Sequence, residues 1–107
     1  MITAEEFSKI DLRIARVVSV SDHPNANKLY IMQIDIGGGN TKQVVAGLKQ
    51  YMNPESLLNK LVVVVNNLEP ATLRGVDSQA MLLAAEHDSA VILIVPEKDF
   101  PPGTRVH

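Results

Sequence analysis

Apolar and polar residues alternate along Lys28–Ile36, placing Tyr30, Met32, Ile34 and Ile36 on one face. A period of two marks a half-buried strand. Gly37-Gly38-Gly39-Asn40 follows and turns the chain back into a second strand at Thr41–Ala46. Upstream, Asp11–Val20 is rich in β-branched residues, with Leu12 and Ile14 in phase and then Val18 and Val20. The doublet Val17-Val18 breaks the alternation, which predicts a bulge or strong curvature. His23-Pro24-Asn25-Ala26-Asn27 between these strands is turn chemistry, because Pro presets φ and Asn tolerates unusual backbone angles.

Two short helices frame this pattern. Thr3 followed by Glu6 is a capping-box pair, so Thr3–Lys9 is predicted as a helical turn packed onto the body by Phe7 and Ile10. Asn53-Pro54-Glu55 supplies an N-cap, a first-turn proline and an acid at the positive end of the dipole. Leu57 and Leu58 would then cover the bottom of the core. Leu61–Val65 is uninterrupted aliphatic, as expected of a strand buried on both sides. A polar loop from Asn67 holds Arg74, Gly75, Ser78 and Gln79 and runs into apolar strands at Ala80–Ala85 and Ala90–Val95. Glu86-His87-Asp88-Ser89 joins those two strands, and Pro96 and Pro101-Pro102-Gly103 punctuate the tail.

The total is about six strands with a helix between the third and fourth. That is the order of the OB-fold, an all-β, five-stranded Greek-key barrel with a helix at one end, here followed by a C-terminal extension. Pattern alone also permits an SH3-like barrel or a small sandwich. At 107 residues the chain suits one domain over residues 1–107, with a radius of gyration of about 13 Å. No cysteine is present, which excludes a disulfide framework and thiolate metal sites. The N-terminus lacks a signal-peptide pattern, and no apolar run approaches the roughly 20 residues that span a bilayer. A cytoplasmic domain with no membrane partner is the expectation.

Chemistry is sparse. His23, His87 and His107 lie far apart with no ligand spacing and read as exposed loop or terminal residues, so no metal or cofactor is expected. Gly37–Gly39 lack the following helix and Lys-Ser/Thr of a phosphate cradle. Acids such as Asp11, Asp35 and Asp77 are scattered, with no pairing for acid–base work. The chain therefore reads as a non-catalytic binder. Ten Lys and Arg against twelve Asp and Glu give a net charge of −2, so any nucleic-acid binding must use a local basic face. With no Trp, two Tyr and two Phe, it also lacks the stacking platforms of single-strand binders, which contribute about 1–3 kcal/mol per base. Only Tyr30 lies on a strand face, where core and surface roles are equally open. What remains is recognition of backbone and shape. In an OB barrel the loops after strands 1 and 4 flank one face. Lys28 and the Arg74, Ser78, Gln79 group would converge there, offering charge to phosphates and hydrogen bonds to hydroxyls and bases.

At these residues the chain resembles the tRNA-binding domain attached to methionyl-tRNA synthetases and its stand-alone relatives. Asp11-Leu12-Arg13-Ile14-Ala15-Arg16-Val17 looks like the family's opening D-L-R-V-x-K-V, and His23-Pro24-Asn25-Ala26-Asn27-Lys28-Leu29-Tyr30 is similar to its H-P-N-A-D-K-L-Y. Val44-Val45-Ala46-Gly47-Leu48, and Tyr51 followed by Pro54-Glu55, fit the middle of the pattern. Asn67-Leu68-x-Pro70 and Leu73-Arg74-Gly75-x-x-Ser78-Gln79-x-Met81-Leu82-Leu83-Ala84-Ala85 fit its most diagnostic block. The resemblance implies an OB-fold that grips the outer corner of folded tRNA by structure rather than sequence, raising the tRNA affinity of a methionyl-tRNA synthetase catalytic domain in cis or in trans. It also implies a homodimer with the segment after the barrel at the interface. The RNA-contacting positions it implies are Lys28, Ser78 and Met81, with Arg74, Gln79 and Asn25 beside them. Periodicity alone reads Met81 as core. The sequence departs from the pattern at Ala80, where glycine is usual and backbone approach is restricted, and at Asn27, where aspartate is usual. Two alternatives stand beside this reading: a peptide-binding export chaperone of the CsaA type, and a pure dimerisation module built on Ala80–Val95 and the Pro-rich tail.

Overall fold

One long strand, β1 (Leu12–Asp22), organises the fold in the computed structural model, which describes residues 1–107. Its first half pairs antiparallel with β4 (Leu61–Val65), and its second half with β2 (Tyr30–Asp35). A strand shared this way must bend, and it does so at the predicted doublet. The register shifts between Val17 and Ser19, burying Val17 and turning Val18 out to solvent.

β2 returns through Gly37–Gly39 into β3 (Thr41–Ala46). The sheet order is β3-β2-β1-β4-β7, where β7 is the short strand Met81–Leu82. Closure of the barrel between β3 and the segment entering β7 combines one backbone bond with side-chain bonds in place of a regular ladder. The Gln79 amide donates to the Gln43 carbonyl (2.8 Å), and the Gln79 Oε1 accepts from the Gln43 amide (2.8 Å). The result is an all-β barrel of OB type.

Helix α2 (Pro54–Leu57) lies between β3 and β4, with the Asn53 side chain accepting from the Ser56 amide as its cap. Leu57 is fully buried while Leu58 is half exposed, so only one of the expected pair reaches the core. Helix α1 (Ala4–Phe7) shows the full capping box but buries no residue. Phe7 and Ile10 stay exposed, in contrast to the packing expected from sequence. The core takes Met32, Ile34, Val44, Val62 and Val64 from alternate strand positions, with Leu57 closing one end.

Two segments differ from their sequence reading. The predicted polar loop contains a hairpin, β5 (Ala71–Leu73) and β6 (Val76–Ser78), turned at Arg74 (φ +52°) and Gly75 (φ +86°). The predicted strand Ala80–Ala85 breaks after β7. Its continuation, β8 (Ala84–His87), leaves the barrel to pair with β9 (Ala90–Leu93) through Asp88 and Ser89, both at positive φ. Both turns fit the two-residue hairpin geometry that needs positive φ at its central residues.

The tail returns to the start of the barrel, where β10 (Arg105–Val106) pairs with Leu12 and Arg13 of β1. A knot of polar contacts secures this end. The Asp11 carboxylate accepts from Arg13 Nε (2.6 Å) and Asn66 Nδ2 (3.1 Å), and lies 3.6 Å from Arg105 Nε. The hydrogen bond from Arg13 leads the effects that hold the Asp11 carboxyl below its ordinary value, against the opposing effect of burial. Asn67, which opens the diagnostic block, works here as a staple. Its Oδ1 accepts from the Asp11 amide and its Nδ2 donates to the Lys9 carbonyl.

Candidate nucleic-acid interface

The β1–β2 loop and the β5–β6 hairpin are joined by a buried histidine. His23 is 4% exposed, so the expectation of an exposed loop residue fails for it. Its Nδ1 accepts from the Asn25 amide at 3.0 Å, and its Nε2 lies 2.9 Å from the Leu73 carbonyl. Since an amide can only donate and a carbonyl only accept, the ring is neutral with its proton on Nε2. One imidazole thus shapes its own loop and fastens it to the hairpin tip.

That fastening brings Lys28 and Arg74 together across 46 positions of sequence (74 − 28). They line one groove of about 430 Å³ with Ala26, Asn27 and Leu29. Neither cation is neutralised. Lys28 and Arg74 enter no ion pair and no acidic side chain lines their groove, whereas Lys60 and Lys98, also unpaired, share a recess with Asp99. On a chain of net charge −2, two unpaired cations on one concave face form a local positive site.

The other residues expected at the interface divide. The Asn25 side chain is exposed and free while its backbone amide is held by His23. Gln79 spends its Oε1 on the Gln43 amide, which leaves its Nε2 donor unoccupied on the surface. Ser78 is 9% exposed, and its hydroxyl accepts from the Val45 amide (3.0 Å) while donating to the Ala80 carbonyl (3.1 Å). With both functions used internally, Ser78 lines a neighbouring recess with Met81 and not the groove of Lys28 and Arg74. Met81 is 46% exposed, so it is surface rather than the core position that periodicity gives it.

Tyr30 belongs to the core, with its hydroxyl donating to the Met52 carbonyl at 2.8 Å, so it is no stacking platform. Ala80 is buried in the core cluster and is not among the positive-φ residues, so alanine replaces glycine there without backbone strain. Sequence reasoning missed His23 as the joint of the two walls, and missed Leu68 and Leu73, which lie exposed beside Met81. No group of three His, Cys, Asp or Glu side chains clusters as metal ligands. The face offers cations, amide donors and apolar surface, which suits holding a ligand.

Comparison with known proteins places this geometry in a family. The family described as "Putative tRNA binding domain" matches residues 12–105. A methionine–tRNA ligase of Pyrococcus furiosus is 55% identical over 105 residues, which is 98% of this chain and 14% of that enzyme. The chain therefore spans a small part of the synthetases it matches. The solved structure of a MetRS-related protein from Pyrococcus horikoshii superposes with a TM-score of 0.92 at 30% identity, covering 100% of this chain and 98% of that one. The CsaA chaperone protein from Picrophilus torridus superposes with a TM-score of 0.90 at 31% identity, covering 100% of each chain. The chain belongs to the tRNA-binding domain family, a family of non-catalytic OB-fold modules homologous to a segment of methionyl-tRNA synthetases.

Proposed function

We propose that this chain binds the folded body of tRNA in the groove between the β1–β2 loop and the β5–β6 hairpin. In this reading Lys28 and Arg74 hold phosphates, while the free donors of Gln79 and Asn25 reach sugar hydroxyls or bases. Met81 contributes apolar contact, and Ser78 acts by fixing the backbone beneath it. The observation that carries the proposal is the pair of unneutralised cations held on one concave face by His23. Their small number keeps affinity modest, which suits a module that raises the tRNA affinity of a synthetase catalytic domain in cis or in trans, in the cytoplasm. Titration with folded tRNA and with an unstructured RNA of equal length tests it. Tighter binding to the folded RNA is expected; equal binding to both, or none to either, refutes it.

The β8–β9 hairpin supports a homodimer as part of the same reading. Ile92, Ile94 and Val95, large apolar side chains on or just after it, are left open to solvent. Sedimentation giving a monomer at high concentration would remove this element.

A second reading, binding of unfolded polypeptide, draws on two neighbouring apolar recesses that share Val45 and Met81. Preference for an unfolded polypeptide over tRNA in direct competition would favour it.

A further inference from the structure

Three large apolar side chains from separate segments meet beside the cationic groove. Leu68 (44% exposed), Leu73 (38%) and Met81 all line one recess of about 190 Å³. Its lining also includes Val45 and Ala80, both buried, and one carboxylate, Glu69, which forms no ion pair. The volume lies well below the roughly 300–1,000 Å³ of pockets for drug-sized ligands, so the recess takes one ring system or one side chain. Its position is specific. Leu73 lines the recess and the next residue, Arg74, lines the cationic groove, so consecutive residues at the hairpin tip serve the two sites.

We infer that this recess receives one unstacked base of the RNA whose backbone lies in the cationic groove. The inference rests on the tRNA-binding reading and names how part of the contact is made. Folded RNA presents unstacked bases in its loops, and proteins read them by covering the flat face and bonding the edge. Aliphatic carbons and the polarisable Met81 thioether supply the covering surface in a chain without Trp. Charge arrangement favours a base over the backbone at this spot. Glu69 repels phosphates, which the unpaired Lys28 and Arg74 attract next door. A carboxylate accepts and does not donate, so Glu69 at the recess selects a base presenting N–H groups, such as the amino group of cytosine.

The test measures folded-tRNA affinity across a salt series for the whole chain and for Met81→Ala, Leu68→Ala and Lys28→Ala. It also maps base-edge reactivity of the tRNA to chemical modification, with and without protein. Met81→Ala and Leu68→Ala are expected to weaken binding about three- to tenfold without changing the salt slope, since the lost contact carries no charge. Lys28→Ala is expected to weaken binding and flatten the slope. A discrete base edge should be protected by the wild-type chain and exposed again by Met81→Ala. Both apolar variants alter exposed side chains, and the footprint on the wild-type chain tests the same claim without any variant. Wild-type affinity in both folded variants, no protected base edge, or a loss confined to unfolded polypeptide would overturn the inference while phosphate binding by Lys28 and Arg74 stands. Absence of any tRNA binding by the wild-type chain would overturn both.

Discussion

The hydroxyl of Ser78 accepts a hydrogen bond from the buried backbone amide of Val45 at 3.0 Å and closes the barrel where β3 and β6 lack a regular ladder. Replacing Ser78 with alanine strands that amide in the interior. An unmade buried hydrogen bond costs about 1–3 kcal/mol, against roughly ±0.5 kcal/mol for an exposed substitution such as Lys28→Ala. Thermal unfolding of the two variants should therefore separate them, with the midpoint of Ser78→Ala lower by about 4–8 °C per kcal/mol lost. Equal midpoints would mean that the Val45 amide finds another partner.

His23 gives a second outcome that exposure alone would not suggest. It is buried, yet it holds the Asn25 amide and the Leu73 carbonyl on opposite walls of the groove. His23→Ala is expected to lower tRNA affinity about three- to tenfold, or about 1 kcal/mol, in protein verified as folded. The salt slope should flatten to the extent that Lys28 or Arg74 loses its phosphate contact. Unaltered affinity in the folded variant would show that Lys28 and Arg74 do not need the joint.

The polar knot at the opposite end predicts an acid limb of stability. Arg13 keeps the folded Asp11 carboxyl below its ordinary value of 3.8, so near that pH the unfolded chain binds the proton more readily. Asp11 therefore contributes its full stability above pH 3.8 and loses it as pH falls through the lower folded value. Asp11→Asn should lower the plateau near neutrality and flatten the acid limb in denaturation measured across pH. An acid limb identical to wild type would assign it to other carboxylates.

Gly103 and Gly75 both sit at positive φ, but their surroundings differ. A Cβ on Gly103 would lie 2.7 Å from the Ile36 carbonyl oxygen and 3.0 Å from the Gly37 Cα, whereas a Cβ on Gly75 meets nothing within 4 Å. Gly75→Ala should cost only the left-handed backbone penalty, about 1–2 kcal/mol. Gly103→Ala should cost clearly more in equilibrium denaturation, because the tail must also lift from the β2–β3 turn. Similar losses for the two would show that the tail yields easily.

Much of this architecture is legible in the chain. The Val17-Val18 doublet marks the bend of β1, the triple glycine marks the β2–β3 turn, and Asn53-Pro54 opens α2, because each rests on local stereochemistry. The meeting of Lys28 with Arg74 follows from barrel topology. The β5–β6 hairpin is hidden because Ala71–Ser78 has little apolar alternation and its turn places an arginine at positive φ. The roles of His23 and Ser78 are hidden for another reason. A polar side chain in a turn sequence reads as solvated until the long-range partners, Leu73 and Val45, are known to face it. Met81 shows the reverse error, since an apolar residue in an apolar run reads as core although the strand ends one residue later.

If Lys28 and Arg74 act together on RNA phosphates, the salt dependence of folded-tRNA binding must register both. Removing one phosphate contact should reduce the slope of log K against log salt by about 0.7–0.9, and removing both by up to twice that. Lys28→Ala and Arg74→Ala are each expected to weaken binding and flatten the slope, with a further reduction in the double variant and no change in unfolding midpoint. Slopes and affinities equal to wild type in all three variants would contradict that joint role.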